Sequence, residues 1–203
     1  LLELQFTSIA SRFGVQLPMR IDRGIVLAAG ASKRLGSHKA LIEVEGQTLV
    51  QLVCSKLQSA GLSVTVVTRN SLKQKIENLL PNVSTVVNPN PELGRTGTIQ
   101  RGIESIGTGP LLIIPVDRPG FSLETINLLC KTNTTTIPTY EKKGGHPIAI
   151  TSQDCENILQ AEPDIPLREL ISPERMHVDD PHLHLNIDTK QDVKQLIKVA
   201  KHL

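Results

Sequence analysis

The stretch from Gly24 to Leu41, GIVLAAGASKRLGSHKAL, joins a short apolar run to a glycine-containing turn that carries three cations. The apolar run predicts a buried strand that ends at Ala28, with the turn at its carboxyl end. Small side chains in the turn allow backbone N–H groups to approach a ligand closely. Arg34 and Lys39 can then supply full positive charge to phosphate oxygens. The stretch therefore predicts an anion-binding loop, and the alternative is a surface turn that happens to be basic.

The composition narrows the function classes. Of 203 residues, 39% are apolar and 21% charged, which is typical of a globular protein. The formal net charge is only +2 and aromatic residues make up 2%, so the basic surface and stacking platforms of a nucleic-acid binder are missing. No apolar run approaches the roughly 20 residues needed to span a bilayer, and a secretory signal is not recognisable. We expect a cytoplasmic protein that binds neither nucleic acid nor membrane.

The first convincing strand begins only after Met19. We interpret residues 1–18 as an N-terminal appendage and residues 19–203 as a single domain. The alternative for residues 1–18 is a short amphipathic helix that packs on this domain. Three widely spaced cysteines without a CxxC pair predict free thiols.

From Gly24 onward, strand-like and helix-like segments alternate. Near-continuous apolar strands between amphipathic helices are typical of a Rossmann-like, doubly wound α/β fold, with a mostly parallel sheet and helices on both faces. After residue 132 the pattern loosens into a hairpin-like excursion around EKKGG, which could cover the site. The predicted strands are 25–28, 63–68, 84–88, 110–117 and 183–188, and the predicted helices are 49–60, 71–80, 96–106, 123–129 and 189–200.

Neither of the two best-known phosphate loops fits the turn. A P-loop places lysine and a hydroxyl residue directly after its glycine, whereas Gly36 is followed by Ser37 and His38 before Lys39. A dinucleotide fingerprint requires three closely spaced glycines, and only Gly30 and Gly36 are present.

The turn does resemble the signature loop LAAG-x-S-x-R-x-G-x-x-K of the MobA-like nucleotidyltransferases, in which a glycine-rich loop, an arginine and a lysine hold a nucleoside triphosphate. Four later segments of this chain also resemble segments of the family, and they occur in the same order. The resemblance therefore spans residues 24–200. It is strongest to the molybdenum cofactor cytidylyltransferases, which transfer CMP from CTP to molybdopterin that carries molybdenum. The later segments are NPNPELGRTGTIQRGIES (88–105), IIPVDRPGFS (113–122), PTYEKKGGHPIAI (138–150) and VDDPHLHLNIDTKQDVKQL (178–196).

This resemblance implies a fold of the nucleotide-diphospho-sugar transferase type and a Mg²⁺-dependent transfer with release of pyrophosphate. It implies a nucleoside triphosphate and a phosphorylated small molecule as partners, with transient contact to a molybdoenzyme or its chaperone. Arg34, Lys39 and Asp117 are the implied catalytic residues, and His146 and Arg168 are candidates for acceptor contacts. The implied nucleotide-binding residues are Leu27, Ala28, Ala29, Gly30, Arg34, Lys39, Asn88, Gly94 and Thr98.

Two carboxylates are the candidates for holding Mg²⁺. Asp117 and Asp188 each end a predicted strand at the same edge of the sheet, which is the geometry that a shared metal requires. The alternative is that they cap helices, especially Asp188, which precedes Thr189. His182 and His184 could contribute to a zinc site, but two histidines without a third ligand are more typical of surface residues.

The chain departs from the family pattern at several positions. Arg118 stands where these cytidylyltransferases commonly have glutamine, Asn186 replaces an aspartate, and EPDIPLRELI lacks two glycines of the family segment. LAAG rather than LAGG at Leu27 to Gly30 resembles the cytidylyl rather than the guanylyl branch of the family, so we expect CTP rather than GTP. One alternative stays open, a nucleotidyltransferase for a sugar, polyol or isoprenoid phosphate. A non-catalytic nucleotide-binding or cofactor-delivery protein would have lost an essential cation or carboxylate, and it is less favoured because Arg34, Lys39, Asp117 and Asp188 are all present.

Overall fold

The structure is a computed structural model that describes residues 20–31 and 36–200. The predicted N-terminal appendage, residues 1–18, lies outside the described residues. Within the described ranges, the helices are all too short or too polar to cross a membrane.

One large sheet organises the described part of the chain. Eight strands pair in the order β10–β7–β9–β6–β1–β4–β5, with β8 added to β7, while β2 and β3 form a separate two-stranded sheet. Pairing is parallel except that β9 runs antiparallel to β6 and β7, and β8 antiparallel to β7. The strands are β1 (Arg23–Ala28), β2 (Glu43–Val44), β3 (Gln47–Thr48), β4 (Ser63–Thr68), β5 (Ser84–Val87), β6 (Leu111–Pro115), β7 (Thr136–Tyr140), β8 (Lys143–Gly144), β9 (Ile148–Ile150) and β10 (Glu174–His177).

Helices connect the strands and cover the sheet. Their starts follow from local capping: the Thr48 side chain accepts from the Gln51 N–H, and the Ser122 side chain accepts from the Thr125 N–H. The α-helices are α1 (Leu49–Ser59), α2 (Lys73–Leu79), α3 (Arg95–Ile106), α4 (Leu123–Leu129), α5 (Ser152–Gln160), α6 (Leu167–Leu170) and α7 (Lys190–Val199), and short 3₁₀ helices span Lys39–Leu41, Asn70–Leu72 and Pro91–Leu93.

The apolar strand β1 shows why the sheet is buried on both faces. Ile25 and Leu27 belong to a core cluster on one face, together with Ile99 of α3. Val26 belongs to the cluster on the opposite face, together with Leu57 of α1. Because alternate residues of a strand point to opposite faces, a strand covered on both sides is apolar throughout. The predicted doubly wound α/β fold with a mostly parallel sheet is confirmed.

The excursion around EKKGG is a hairpin, as predicted. β7 and β8 pair antiparallel, with Tyr140 opposite Lys143. Glu141 and Lys142 between them adopt left-handed backbone conformations, with φ of 47° and 65°. This is the conformation that a two-residue hairpin turn requires.

The predicted strand at residues 183–188 is wrong. Leu183 and Ile187 are buried as the alternating pattern indicated, but the segment pairs with no strand among the described residues. The N–H of Leu183 donates to the Asp180 carbonyl, that of Leu185 to the His182 carbonyl, and that of Ile187 to the Asp117 carbonyl. The alternation therefore reflects burial of one side of an irregular segment. The sequence pattern also missed β10, which adds to β7 in parallel.

The three cysteines are free, as predicted. Cys54 and Cys155 are buried and Cys130 is half-buried. Burial raises the pKa of Cys54 to about 12, so this thiol stays protonated at neutral pH and packs as a small apolar group.

Candidate active site

A cavity of about 300 Å³, which we call the first cavity, lies where β1 and β6 end side by side. Leu27 is opposite Pro115 in the parallel register, and the Val116 N–H donates to the Leu27 carbonyl at 3.1 Å. The residues that follow the two strands therefore meet at one edge, as expected for ligand sites of parallel sheets. Sequence-predicted residues that line it are Leu27, Ala28, Ala29, Gly30, Lys39, Gly94, Thr98 and Asp117.

Lys39 joins the two predicted metal ligands. Its Nζ donates to Asp117 Oδ2 at 2.7 Å and to Asp188 Oδ1 at 2.5 Å. Asn186 Nδ2 donates to the other oxygen of Asp188 at 2.5 Å. The two carboxylates thus lie close enough to share one cation, although they are 71 residues apart in the chain (188 minus 117). Asp188 itself opens onto a neighbouring groove that also contains Asp192.

The charges of this cluster favour a protonated lysine. Burial disfavours the charged form of Lys39, but hydrogen bonds and Coulomb attraction from Asp117 and Asp188 outweigh this effect and raise its pKa. Only 17% of the Lys39 side chain is exposed, so the attraction is less screened than at a surface pair. The ammonium ion is therefore held between two carboxylates.

Packing of residues 180–188 on the loop after β6 brings Asp188 to Asp117. The Ile187 N–H donates to the Asp117 carbonyl at 3.0 Å. Gly120 lies so close to the same segment that a Cβ atom there would come within 1.9 Å of the His182 carbonyl oxygen. Buried Asp180 accepts hydrogen bonds from the Ser122 N–H at 2.7 Å and the Thr125 hydroxyl at 2.8 Å.

Neither predicted carboxylate caps a helix. At the start of α7 the capping residue is Thr189, whose side chain accepts from the Asp192 N–H. The Asp192 carboxylate in turn accepts from the N–H groups of Asp188 and Thr189 at 2.9 and 2.7 Å. At α4 the cap is Ser122. The carboxylate of Asp117 therefore remains directed to Lys39 and the first cavity.

The opposite wall is built around Asn88, which is buried and does not line the cavity. Its Nδ2 donates to Thr98 Oγ1 at 3.0 Å, and its Oδ1 accepts from the Asn90 N–H at 3.0 Å. Gly94 has φ of 138°, a value that L side chains rarely adopt, and a Cβ there would lie 2.7 Å from the Pro163 carbonyl oxygen. The structure thus gives Asn88 a supporting position and leaves Gly94 and Thr98 at the cavity surface.

A second cavity of about 570 Å³ adjoins the first and contains both predicted acceptor residues, His146 and Arg168. The two cavities share Leu27, Arg95 and Pro115 as wall residues. The second cavity is lined mainly by apolar side chains from β6, β7, β9 and the loop around α6. Two adjoining cavities of about 300 and 570 Å³ therefore share one wall at this edge of the sheet.

His146 is neutral at physiological pH. Its pKa is lowered to about 4, mainly by burial and further by the positive charges of Arg118 and Arg95, while Asp117 acts in the opposite direction. A neutral imidazole donates from one nitrogen and accepts at the other. His146 can therefore bind a polar group of a ligand without adding charge.

Two polar or charged wall residues of the first cavity were missed by the sequence analysis. Arg95, the residue after Gly94, lines both cavities. His38 lines the first cavity, and its buried Nδ1 has no hydrogen-bond partner among the described residues. Arg95 directly follows Gly94 and His38 directly precedes Lys39, so their places within the two motifs were the signal that could have identified them. Predicted Arg34 lies outside the described residues.

The zinc alternative finds no support in the described ranges. His184 Nε2 is 2.9 Å from the Tyr140 carbonyl oxygen, which gives this ring a structural contact. Outside residues 1–19, 32–35 and 201–203, no three histidine, cysteine or acidic side chains come together as a metal site. The Asp117 and Asp188 carboxylates that bind the Lys39 ammonium differ from a zinc site of this kind.

Comparison with known proteins identifies the family of the chain. The model of the family described as MobA-like NTP transferase domain matches residues 24–179. A probable molybdenum cofactor guanylyltransferase from Bacillus mycoides strain KBAB4 is 31% identical over 111 residues, which are 52% of this chain and 54% of the relative. The alignment therefore spans about half the length of this curated relative.

Solved structures share the fold at low sequence identity. A homologue from Mycobacterium sp. strain JC1 of a Mycobacterium tuberculosis protein superposes with a TM-score of 0.75 at 20% identity, covering 89% of this chain and 96% of the other. Molybdopterin-guanine dinucleotide biosynthesis protein A from Archaeoglobus fulgidus superposes with a TM-score of 0.70 at 17% identity, covering 89% and 100%.

Proposed function

The chain belongs to the MobA-like NTP transferase family, and we propose that it transfers a nucleoside monophosphate from a triphosphate to a phosphorylated acceptor, with release of pyrophosphate. The observation that carries this proposal is the Asp117–Lys39–Asp188 cluster at the edge of the first cavity. It joins a cation and two carboxylates to a loop of small residues, which is the combination that a polyphosphate site needs.

The residues of the first cavity would act mainly by neutralising and positioning charge. During transfer, an acceptor oxygen attacks the α-phosphorus while negative charge moves onto the leaving pyrophosphate. The small residues from Ala28 to Ala31 allow the backbone to approach phosphate oxygens. Lys39 supplies positive charge at the same wall, and Arg34 would supply more from the loop.

The two carboxylates suit a Mg²⁺ ion. The Lys39 ammonium lies between Asp117 and Asp188, so this pair of carboxylates accepts a cation. Oxygen ligands from one or two carboxylates are what Mg²⁺ usually takes from a protein, the remaining ligands being water and substrate phosphates. Bound Mg²⁺ would neutralise the triphosphate and the charge that develops on the leaving group. Lys39 would then be released to contact phosphate oxygens.

We assign the acceptor to the second cavity. Its mainly apolar walls suit a flat, ring-containing molecule, and His146 and Arg168 provide polar contacts. Molybdopterin that carries molybdenum fits this description and is the acceptor that we propose. Transfer to a sugar, polyol or isoprenoid phosphate is the competing assignment. If molybdopterin is the acceptor, transient delivery of the product to a molybdoenzyme or its chaperone would follow.

CTP is the proposed nucleotide, on the basis of Ala29. This residue is 3% exposed and lines the first cavity, where its methyl group reduces the space that a glycine would leave. A smaller cavity favours a pyrimidine base over a purine, although one methyl group in a pocket typically changes selectivity only about 10- to 200-fold. GTP is the second candidate because the Bacillus mycoides relative is named a probable guanylyltransferase.

The test is pyrophosphate release from purified full-length protein with Mg²⁺, CTP or GTP, and each class of phosphorylated acceptor. We expect release that requires both an acceptor and the metal, and that is faster with CTP and molybdopterin. Tight binding of triphosphate without pyrophosphate release from any acceptor would support the non-catalytic nucleotide-binding alternative. Faster release with GTP would correct the nucleotide and leave the reaction type intact.

A further inference from the structure

Arg69 holds the loop that carries the small residues of the first cavity. It directly follows β4, and its half-buried side chain reaches the end of the neighbouring strand, where Nε donates to the Ala29 carbonyl at 3.0 Å. Ala28 is the last residue of β1 and lies opposite Thr68, the last residue of β4. The paired strands therefore end before Ala29, and the Arg69 side chain supplies the hydrogen bond that its carbonyl needs.

The backbone of Arg69 is itself fixed at this edge of the sheet. Its carbonyl accepts from the Leu72 N–H at 3.0 Å, and the carbonyl of Thr68 accepts from the Asn88 N–H at 2.7 Å. Leu72 is buried and lines the first cavity. The described walls of this cavity do not include Arg69, so its effect on a ligand there would pass through the loop that it holds.

The bond to Arg69 sets the direction of the next peptide group. The peptide between Ala29 and Gly30 is trans, so the Gly30 N–H points away from the Ala29 carbonyl and hence from the guanidinium. Gly30 is exposed and lines the first cavity. Within residues 20–31 and 36–200, its N–H finds no hydrogen-bond acceptor, and a Cβ atom on it would meet only open space within 4 Å. The Gly30 N–H is therefore a backbone donor that a ligand of this cavity can use.

We propose that Arg69 is a positioning residue that directs the Gly30 N–H to a phosphate oxygen of the bound nucleotide. That this ligand is a triphosphate rests on the proposed function. A backbone N–H whose orientation is fixed bonds to an anionic oxygen with little reorganisation. The cationic donor on the Ala29 carbonyl also polarises this peptide group, which strengthens its N–H as a donor. Lys39 would supply charge to the triphosphate, and the Gly30 N–H would supply direction.

Inorganic tripolyphosphate tests the role of Arg69 without a base or sugar. It is titrated calorimetrically, with Mg²⁺, into the full-length protein and into the variants Arg69→Met and Arg23→Met. Arg23→Met is the matched control, because Arg23 binds the Ile106 and Thr108 carbonyls from the opposite end of β1. We expect Kd to rise by about tenfold in Arg69→Met and by less than about twofold in the control. Equal affinities of the two variants, or a loss of affinity for cytidine alone, would overturn the proposal.

The amide resonance of Gly30 separates positioning from the loss of one charge. In the isotope-labelled parent protein, tripolyphosphate should shift the Gly30 amide proton downfield, and saturated Arg69→Met should lose most of this shift. An undiminished shift would show that Arg69 does not orient this N–H. Arg69→Lys keeps the charge on a different stem and is the second variant if Arg69→Met does not fold. Parental affinity of Arg69→Lys for tripolyphosphate would show that charge alone suffices and would contradict positioning through Nε.

Kinetics separate the role of Arg69 from the proposed reaction. With an active acceptor, Arg69→Met should raise the KM of the nucleotide by about tenfold and change the KM of the acceptor by less than about twofold. An equal rise in both KM values would contradict the assignment to the nucleotide phosphates. If the protein released no pyrophosphate but tripolyphosphate still bound more weakly to Arg69→Met, the proposed reaction would fail and the role of Arg69 would stand. Pyrophosphate release together with unchanged tripolyphosphate binding would overturn the role of Arg69 and leave the reaction standing.

Discussion

The first and second cavities share a wall but hold their charged groups in different ways. In the first, Lys39 is tied to Asp117 and Asp188 by bonds of 2.7 and 2.5 Å, at the ends of parallel strands. In the second, Arg168 is 84% exposed and lies 3.8 Å from its acidic neighbour Glu169. The charged groups of the first cavity are therefore held by one another, whereas Arg168 in the second is largely exposed to solvent.

This difference suits two substrates of different kinds. Triphosphates present the same phosphate groups whatever the base, so a preorganised set of charges can serve them all. Acceptors differ in shape, and an open apolar cavity with mobile polar side chains can adapt to them. We therefore expect substitutions at the first cavity to affect the reaction itself, and those at the second to affect acceptor choice.

The largest effect is expected at Asp117. Asp117→Asn keeps the size of the side chain but removes the charge that holds Lys39 and would bind Mg²⁺. Turnover should fall by about 10³-fold or more, with little change in the thermal midpoint. Pyrophosphate release under saturating substrates measures this change, and Asp179→Asn at a nearby exposed aspartate is the control. A rate close to that of the parent protein would show that Asp117 has no part in the chemistry.

Gly120→Ala tests the contact that brings Asp188 to Asp117. The added Cβ would overlap the His182 backbone oxygen, at 1.9 Å, so residues 182–188 must shift. We expect a loss of about 3 kcal/mol in the free energy of unfolding, together with weaker metal binding. Urea denaturation measures the loss. Gly24→Ala is the control, because its Cβ would make only ordinary contacts of 3.5 Å or more; equal losses in both variants would contradict the prediction.

Lys39→Ala should weaken nucleotide binding as well as turnover. Its ammonium lies in the first cavity and would neutralise a bound triphosphate before and during the transfer. We expect Kd for the nucleotide to rise by about 30-fold, equivalent to about 2 kcal/mol, as measured by calorimetry. The control is Lys142→Ala, at an exposed position, which shows the effect on nucleotide binding of losing one positive charge elsewhere. A variant that binds nucleotide normally but turns over slowly would place Lys39 in the chemical step alone.

The smallest effect is the pH dependence of stability from His146. Its pKa is lowered from 6.5 to about 4, so the unfolded chain binds the proton more tightly than the folded protein does. The stability associated with neutral His146 is fully present above about pH 6.5 and is lost as the pH falls towards 4, with a loss of about 1–2 kcal/mol near about pH 5.5. His146→Asn should remove this part of the pH dependence of urea unfolding, whereas His177→Asn, at an exposed site, should retain it. If the stability of both variants and of the parent protein changed with pH in the same way, the assignment of this pH dependence to His146 would be contradicted.

Local patterns identified much of the fold and part of the candidate site. The apolar runs at β1, β4 and β6 and the helical spacing of α1 and α3 lie where the sequence predicted them, because burial on both faces requires them to be apolar. Lys39 and Asp117 could be singled out because each follows a strand or turn that the sequence marks clearly. Asp188 was identified for a wrong reason: it was predicted to end a strand, and the segment before it is not a strand.

The sequence by itself determined the mostly parallel arrangement and the family, and it indicated an anion-binding loop, since these depend on residues close together in the chain. Only the tertiary structure decided that residues 180–188 pack irregularly on the loop after β6, that Asn88 supports Thr98, and that Arg95 stands between the two cavities. These features depend on contacts between segments far apart in sequence. A period of two in apolar residues reports that alternate side chains are buried, but it does not specify which backbone groups accept the hydrogen bonds.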